Sequence, residues 1–528
     1  SWNRIFSETI RYKGLKKEKV KAFKALAKKD KNIKGVTFDE RYKRYYPYST
    51  VGSKVVGFCS TDNTGVWGIE SKYNSSLNGV SGRRYGYFNT DLDLVETVNE
   101  PTNGNNITST IDVNVQGILE RHMNTFQKNT GSKNMGCIIM NPQNGEIYAM
   151  SSYPEYNLNN PRDLSAFYSP EKIDKMSDKK KTENLNKIWR NYCISDAYEP
   201  GSTFKPMTVA ACLDEGVTTG SRAYHCDGYQ VINGVRIKCV AYSRGGHGTI
   251  NICQSLMESC NDVLMQLGAD LGKRKFLQYV NEFGFGKKTG IDLPGEATGG
   301  VFTNDTMHAV ELATSSFGQG QTVTMIQMAA AFSSVINGGN YYEPHVVKEV
   351  KSENGAVLES NDNALVRRVI TENTSKKLRK YLYKTVEEGT ALPAKVAGYQ
   401  IGGKTGTAEK HPTGRGNYLV SFIGFATKDN PEVMIYVTID EPHVADQAHS
   451  TYATQFSSEV LKEVLPVLGM YQDSSTKKAD KTKASDIKLP STKEAPDGGY
   501  SDGTYSVAGD QTDGTDTANT ASPVPSAE

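Results

Sequence analysis

Val113, Ile118, Leu119 and Met123, with Gln116 among them, form a face at helical spacing, so an amphipathic helix is predicted there. A different pattern follows. Gly136-Cys137-Ile138-Ile139-Met140 and Glu146-Ile147-Tyr148-Ala149-Met150-Ser151 flank the turn residues 141–145 and read as a hairpin. Leu419–Phe425 and Val433–Ile439, joined through Asp429-Asn430-Pro431, read as a second one. Between the two hairpins lie helical runs. Pro206–Leu213 is continuously apolar after the turn Pro200-Gly201 and ends near Gly216. Gln319-Gly320 leads into Thr322, Val323, Ile326 and Met328, predicting a buried helix that stops at Gly338-Gly339. Hairpins with intervening helices predict an α+β fold, an antiparallel sheet flanked by helices. Residues 1–108 are more polar, with aromatic and glycine-rich stretches, and residues 471–528 are Ser/Thr/Asp/Lys/Gly/Pro-rich with little to bury. Three parts are therefore expected: 1–108, 109–470 and a disordered tail, 471–528.

Composition changes this picture little. The chain has 528 residues and a formal net charge of +2, which gives no reason to expect nucleic acid as a partner. Lysine excess between Lys13 and Lys34 reads as a solvated amphipathic helix, with contact to an anionic surface as the other reading. No apolar stretch reaches the roughly 18 residues needed to span a bilayer. The eight cysteines are Cys59, Cys137, Cys193, Cys212, Cys226, Cys239, Cys253 and Cys260. Cys226 and Cys239 bracket an expected hairpin; a disulfide and two free thiols both remain open. No Cys-x-x-Cys or His pair accompanies them, so neither a zinc site nor any cofactor is expected. His247, within Gly245–Thr249, is assigned a loop-ordering role, Trp67 and Trp189 a packing role, and Tyr242 and Phe317 are candidates to line a cleft.

The chemistry-bearing residues fall in three short motifs. Ser202-Thr203-Phe204-Lys205 comes first, then Ser259-Cys260-Asn261, then Lys404-Thr405-Gly406-Thr407. A serine, two lysines and an amide suit acyl transfer without histidine or metal. Each motif alone is weak. Ser-x-x-Lys also begins at Ser169, Ser177, Ser474, Ser475 and Ser485, and a second Lys-Thr-Gly starts at Lys288. Context separates the functional set: Ser202 opens a predicted helix after a turn, with Lys205 on the same face. Lys404 lies among glycines just before the second hairpin, where a substrate backbone is expected to approach. Cys260, between Ser259 and Asn261, is a candidate redox-sensitive position.

With these motifs in this order, the chain resembles the class B penicillin-binding proteins, monofunctional peptidoglycan D,D-transpeptidases of division, elongation or sporulation. Tyr46-Pro47-Tyr48, Asn141–Ile147, Gly290–Glu296 and Ser316–Gly320 extend the likeness, which runs from about Tyr45 to Val467. The resemblance implies a penicillin-binding transpeptidase domain on an N-terminal pedestal domain. It implies Ser202 as nucleophile, Lys205 as base, Ser259 as proton relay, and Asn261 and Lys404 as substrate and lysine contacts. Thr405, Gly406 and Thr407 would bind substrate, and the backbone amides of Ser202 and Thr407 would form the oxyanion hole. Donor and acceptor stem peptides, β-lactams and a wall-synthesis glycosyltransferase are the implied partners. The implied location is the extracytoplasmic face of the bacterial membrane, through an N-terminal anchor that is not in this sequence. A D,D-carboxypeptidase, a β-lactamase or a non-catalytic β-lactam-binding scaffold are the alternatives. Glu183-Asn184-Leu185-Asn186 precedes Ser202 and lacks the spacing of one β-lactamase class, which argues against that alternative.

Overall fold

The computed structural model describes residues 15–30, 32–33, 36, 38, 43–88, 94–361 and 365–472. All but the first two residues of the expected C-terminal tail lie outside this set. The chain divides into residues 1–45 and residues 46 onward. In the first unit, the helix Lys17–Lys29 buries no residue, as its lysine-rich pattern predicts, and Phe23 packs edge-on against Phe38 at 5.5 Å.

The second unit is organised by a five-stranded antiparallel sheet. Its strands are β1 (Ser132–Met140), β2 (Ile147–Ser152), β3 (Ile401–Glu409), β4 (Tyr418–Ala426) and β5 (Val433–Pro442), in the spatial order β3-β4-β5-β1-β2. Both predicted hairpins are present, and the sheet joins them through β5 and β1, where Ile435 stands opposite Ile139. Side chains alternate along β5. Val433, Ile435, Val437 and Ile439 enter one core, while Met434 and Tyr436 enter the other. Both faces are therefore buried, which is why these strands read as continuous apolar runs.

On one face lie α1 (Val113–Asn129) and the helix Thr451–Val467. The predicted α1 forms, but Val113 is exposed and Val115 takes the buried position, with Gln116, Leu119, Glu120 and Met123. Asp112 caps the helix by accepting from the Asn114 and Val115 amides, so Val113 is its first residue and lies outside the buried face. The other face carries α2 (Lys205–Asp214), α3 (Asn261–Leu271) and α4 (Met325–Ile336). Every residue of α4 is buried, consistent with apolar and small residues all around it. Its start is set by a capping box between Thr324 and Gln327.

Phe332 on α4 faces Phe425 of the sheet, with ring centroids 6.3 Å apart. Phe332→Ala is expected to lower unfolding free energy by about 3–5 kcal/mol through the cavity it leaves. A denaturant titration checks this, and an unchanged midpoint would contradict the packing described. Trp189 packs against Phe58 at 4.9 Å and Trp67 at 6.5 Å, in keeping with their assigned packing role.

Candidate active site

The site is assembled where α2 and α3 meet β3. Gly201 has φ +56 and donates its amide to Gly318 O at 2.9 Å, and Thr203 Oγ1 donates to Pro200 O at 2.7 Å. These bonds fold Gly201–Phe204 into a 3₁₀ turn, not the first turn of an α-helix as expected; α2 begins at Lys205. Because residues three apart eclipse in a 3₁₀ turn, Ser202 and Lys205 still share one side. Phe204 anchors the turn, its buried ring 5.1 Å from Phe285 and 6.3 Å from Phe276.

Gly318 matters here for a geometric reason. It has φ +92, and a Cβ added to it would stand 2.0 Å from the Gly201 carbonyl oxygen. Gly318→Ala is therefore expected to displace the turn that carries Ser202. A shift of this kind is expected to lower the reactivity of the Ser202 hydroxyl toward an acylating reagent by roughly 100-fold while secondary structure persists. Wild-type reactivity with an unchanged circular dichroism spectrum would contradict it.

Lys205 is fully buried, and its amine donates to Ser259 O at 2.6 Å, Ser259 Oγ at 3.1 Å and Asn261 Oδ1 at 2.7 Å. Ser259 holds a left-handed backbone conformation, φ +54, between the helix Ile252–Met257 and α3. For a serine this is a strained position that concentrates at functional sites. Lys404, also fully buried, reaches the same hydroxyl from β3: its amine donates to Ser259 Oγ at 3.0 Å and to Thr405 O at 3.2 Å. One serine hydroxyl thus stands between two buried amines.

Burial disfavours the charged form of both amines. It lowers Lys205 to about 8, and it lowers Lys404 well below the ordinary lysine range, with the Lys205 charge acting in the same direction. Asn261 Nδ2 donates to Lys238 O at 3.3 Å, tying the site to the hairpin Tyr229–Ile232/Val235–Lys238.

Ser202, Ser259, Asn261, Thr405 and Thr407 line one cleft of about 390 Å³, a size suited to a small ligand or a peptide end. Phe317 lines it as anticipated, but Tyr242 packs edge-on against Tyr229 instead. Val240, Arg244, Gln319, Thr390 and Ser450 also line the cleft and were missed. Gln319 had a signal, since Ser316–Gly320 stood out in sequence. Thr390, whose hydroxyl is 3.3 Å from Thr405 Oγ1, arrives from the end of a distant helix and had none. The second Lys-Thr-Gly lies elsewhere: Thr289 donates its amide and hydroxyl to Glu296, and Lys288 lines a separate cleft.

The glycines beside Lys404 serve internal neighbours more than substrate approach. A Cβ at Gly402 would meet the Phe425 ring at 2.4 Å, and one at Gly403 the Phe422 ring at 2.5 Å. At Gly406 a Cβ would meet Ser421 Oγ at 2.3 Å and Thr203 Cγ2 at 3.0 Å, so this glycine lets the serine turn close onto β3. The cysteines follow one of the two readings left open: Cys226, Cys239 and Cys260 are free thiols, and with His247 their ligand-type atoms lie within 4.8 Å of one another. Tertiary folding brings the four together from separate segments.

A family model described as penicillin binding protein transpeptidase domain matches residues 135–463, and one described as penicillin-binding protein dimerisation domain matches residues 5–109. Stage V sporulation protein D of Bacillus subtilis is 37% identical over 464 residues, covering 86% of this chain and 68% of the relative. A protein of Buchnera aphidicola named peptidoglycan D,D-transpeptidase FtsI is 27% identical over 450 residues, covering 84% of this chain and 72% of its own. Among solved structures, penicillin-binding protein 3 from Mycobacterium tuberculosis, complexed with ampicillin, superposes with a TM-score of 0.69 at 23% identity. That match covers 82% of this chain and 91% of the other, and it shows a shared fold.

Proposed function

This chain belongs to the penicillin-binding protein transpeptidase family, and we propose that it is a peptidoglycan D,D-transpeptidase working through an acyl-enzyme on Ser202. The observation that carries the reading is the Ser259 hydroxyl held 3.1 Å from Lys205 Nζ and 3.0 Å from Lys404 Nζ, with Ser202 in the same cleft.

In the first step Ser202 Oγ attacks the carbonyl between the two terminal D-alanines of a donor stem peptide. Neutral Lys205 takes the hydroxyl proton, and the backbone amides of Ser202 and Thr407 accommodate the oxyanion. Ser259 relays the proton to the departing D-alanine amine. Lys404 and the hydroxyls of Thr405 and Thr407 hold the terminal carboxylate, while Gly406 between them lets the Ser202 turn close onto β3. Asn261 keeps Lys205 in place and offers its side chain to the substrate amide. In the second step the amine of an acceptor peptide attacks the acyl-enzyme and restores Ser202. Among the described residues β3 is an edge strand, which supports binding of an extended peptide along it. β-Lactams enter the same first step and stop there.

The reading puts the enzyme on the extracytoplasmic side of the membrane, beside a wall-synthesis glycosyltransferase. Among the described residues no helix is long and apolar enough to cross a membrane. We retain the division into a pedestal domain, 1–108, a transpeptidase domain, 109–470, and a tail, 471–528.

The test is to incubate the protein with a stem pentapeptide, with and without an acceptor amine, and to follow free D-alanine and cross-linked product. Cross-linked product that grows with acceptor supports a transpeptidase. Hydrolysis alone, insensitive to acceptor, would assign a D,D-carboxypeptidase, and rapid turnover of penicillin a β-lactamase.

A further inference from the structure

Beside residues that line the cleft, three sulfurs and an imidazole converge from separate segments. Cys226 ends the strand Ala223–Cys226, Cys239 follows the hairpin strand Val235–Lys238, His247 sits in the loop after it, and Cys260 caps α3. Cys226 Sγ lies 3.4 Å from His247 Nδ1, Cys239 Sγ lies 3.7 Å from the same nitrogen, and Cys239 Sγ lies 3.7 Å from Cys260 Sγ. Zinc bound tetrahedrally at about 2.3 Å from sulfur and 2.0–2.1 Å from nitrogen gives ligand–ligand edges of roughly 3.8 Å (S–S) and 3.5 Å (S–N). These three separations match those edges, and all six lie within 4.8 Å. They are far from the roughly 2.05 Å of a disulfide. All three thiols are buried, so no hydration competes for the sulfurs.

We propose that Cys226, Cys239, Cys260 and His247 bind one zinc ion as a closed, structural site that fixes the Ser259-Cys260-Asn261 turn. Four protein ligands leave no open position, so the metal's role is to hold the backbone and not to activate water. Binding exchanges the thiol protons for the metal: each cysteine binds as thiolate and releases its proton to solvent. His247 binds through Nδ1 as neutral imidazole and keeps its proton on Nε2. No redox step is involved.

The coupling to the catalytic cleft follows from position. Cys260 lies between Ser259, the hydroxyl shared by both lysines, and Asn261, which holds Lys205. Cys239 directly follows Lys238, whose carbonyl accepts from Asn261 Nδ2. The metal would thus pin both the hairpin and the strained turn, φ +54 at Ser259. This second half rests on the acyl-enzyme reading; metal binding itself does not.

The experiment measures the metal first and activity second. Protein purified without chelator is assayed for metal by mass spectrometry, then stripped and titrated with Zn²⁺ and, separately, with Co²⁺. About one zinc per chain is expected, together with the thiolate-to-cobalt charge transfer and strong visible bands of a tetrahedral sulfur-rich site. Cys226→Ser, which lies outside the acyl-transfer motifs, is expected to lose the metal, while Cys253→Ser, outside the cluster, keeps it. Stripped wild type is expected to lose thermal stability and to acylate at least about 10-fold more slowly, both recovering with zinc. No zinc uptake by wild type, a Co²⁺ spectrum without charge transfer, iron in place of zinc, or a Cys226–Cys239 disulfide in the native protein would each overturn the site. Zinc bound with acylation unaffected by stripping would overturn the positioning role alone.

Discussion

Ser202→Ala is expected to abolish covalent labelling by penicillin, to below about 10⁻⁴ of the wild-type rate, while leaving the fold intact. The size follows from what the substitution removes: no other group in the cleft replaces a deleted nucleophile, and comparable losses in serine hydrolases approach about 10⁶. The fold survives because the hydroxyl is no part of what shapes the turn. Gly201 is held by Gly318, Thr203 by Pro200, and Phe204 by its aromatic neighbours. Stability should therefore stay within about 0.5 kcal/mol of wild type. Labelling of Ser202→Ala at an undiminished rate would mean that another hydroxyl, with Ser259 the nearest candidate, is acylated instead.

The second large effect belongs to Lys205. Lys205→Met keeps most of the side-chain volume but removes the base, and a loss of about 10²–10⁴ in acylation rate is expected. This variant also leaves Ser259 O and Asn261 Oδ1 without their donor, so some destabilisation accompanies it. The pH profile of wild type isolates the base role from that structural effect. Burial favours the neutral amine and lowers Lys205 to about 8. The reactive neutral fraction grows as protons are lost, so acylation should rise with pH, reach half its maximum near that value and then level off. A flat profile between about pH 6 and 9 would remove Lys205 as the base.

Much of this site was legible in the sequence because its signals are local. Ser202 and Lys205 sit three apart after a Pro-Gly turn, and the continuous apolar runs within 136–151 and 419–439, split by turn residues, carry their strand pairing in their own pattern. What escaped depends on contacts across the fold. Whether Ser202 stands in a 3₁₀ turn or an α-helix is decided by a bond to Gly318, more than a hundred residues away. Gly402 and Gly403 looked like substrate-facing glycines, yet Phe425 and Phe422 on the neighbouring strand are what exclude a side chain there. Val113 looked like a core residue, yet as the first residue after the Asp112 cap it lies outside the buried face of α1. The thiols at Cys226, Cys239 and Cys260 and the His247 ring have no short spacing to betray them, because a hairpin and two loops must fold before they meet.

The account rests on Ser202 as the atom that becomes acylated. The most direct measurement is to trap wild-type protein with a penicillin, digest it and locate the added mass by tandem mass spectrometry. A penicilloyl group on the peptide containing Ser202, and on no other serine, is the predicted result. The same mass on Ser259 or on a lysine, or no covalent adduct in folded, metal-replete protein, would contradict it.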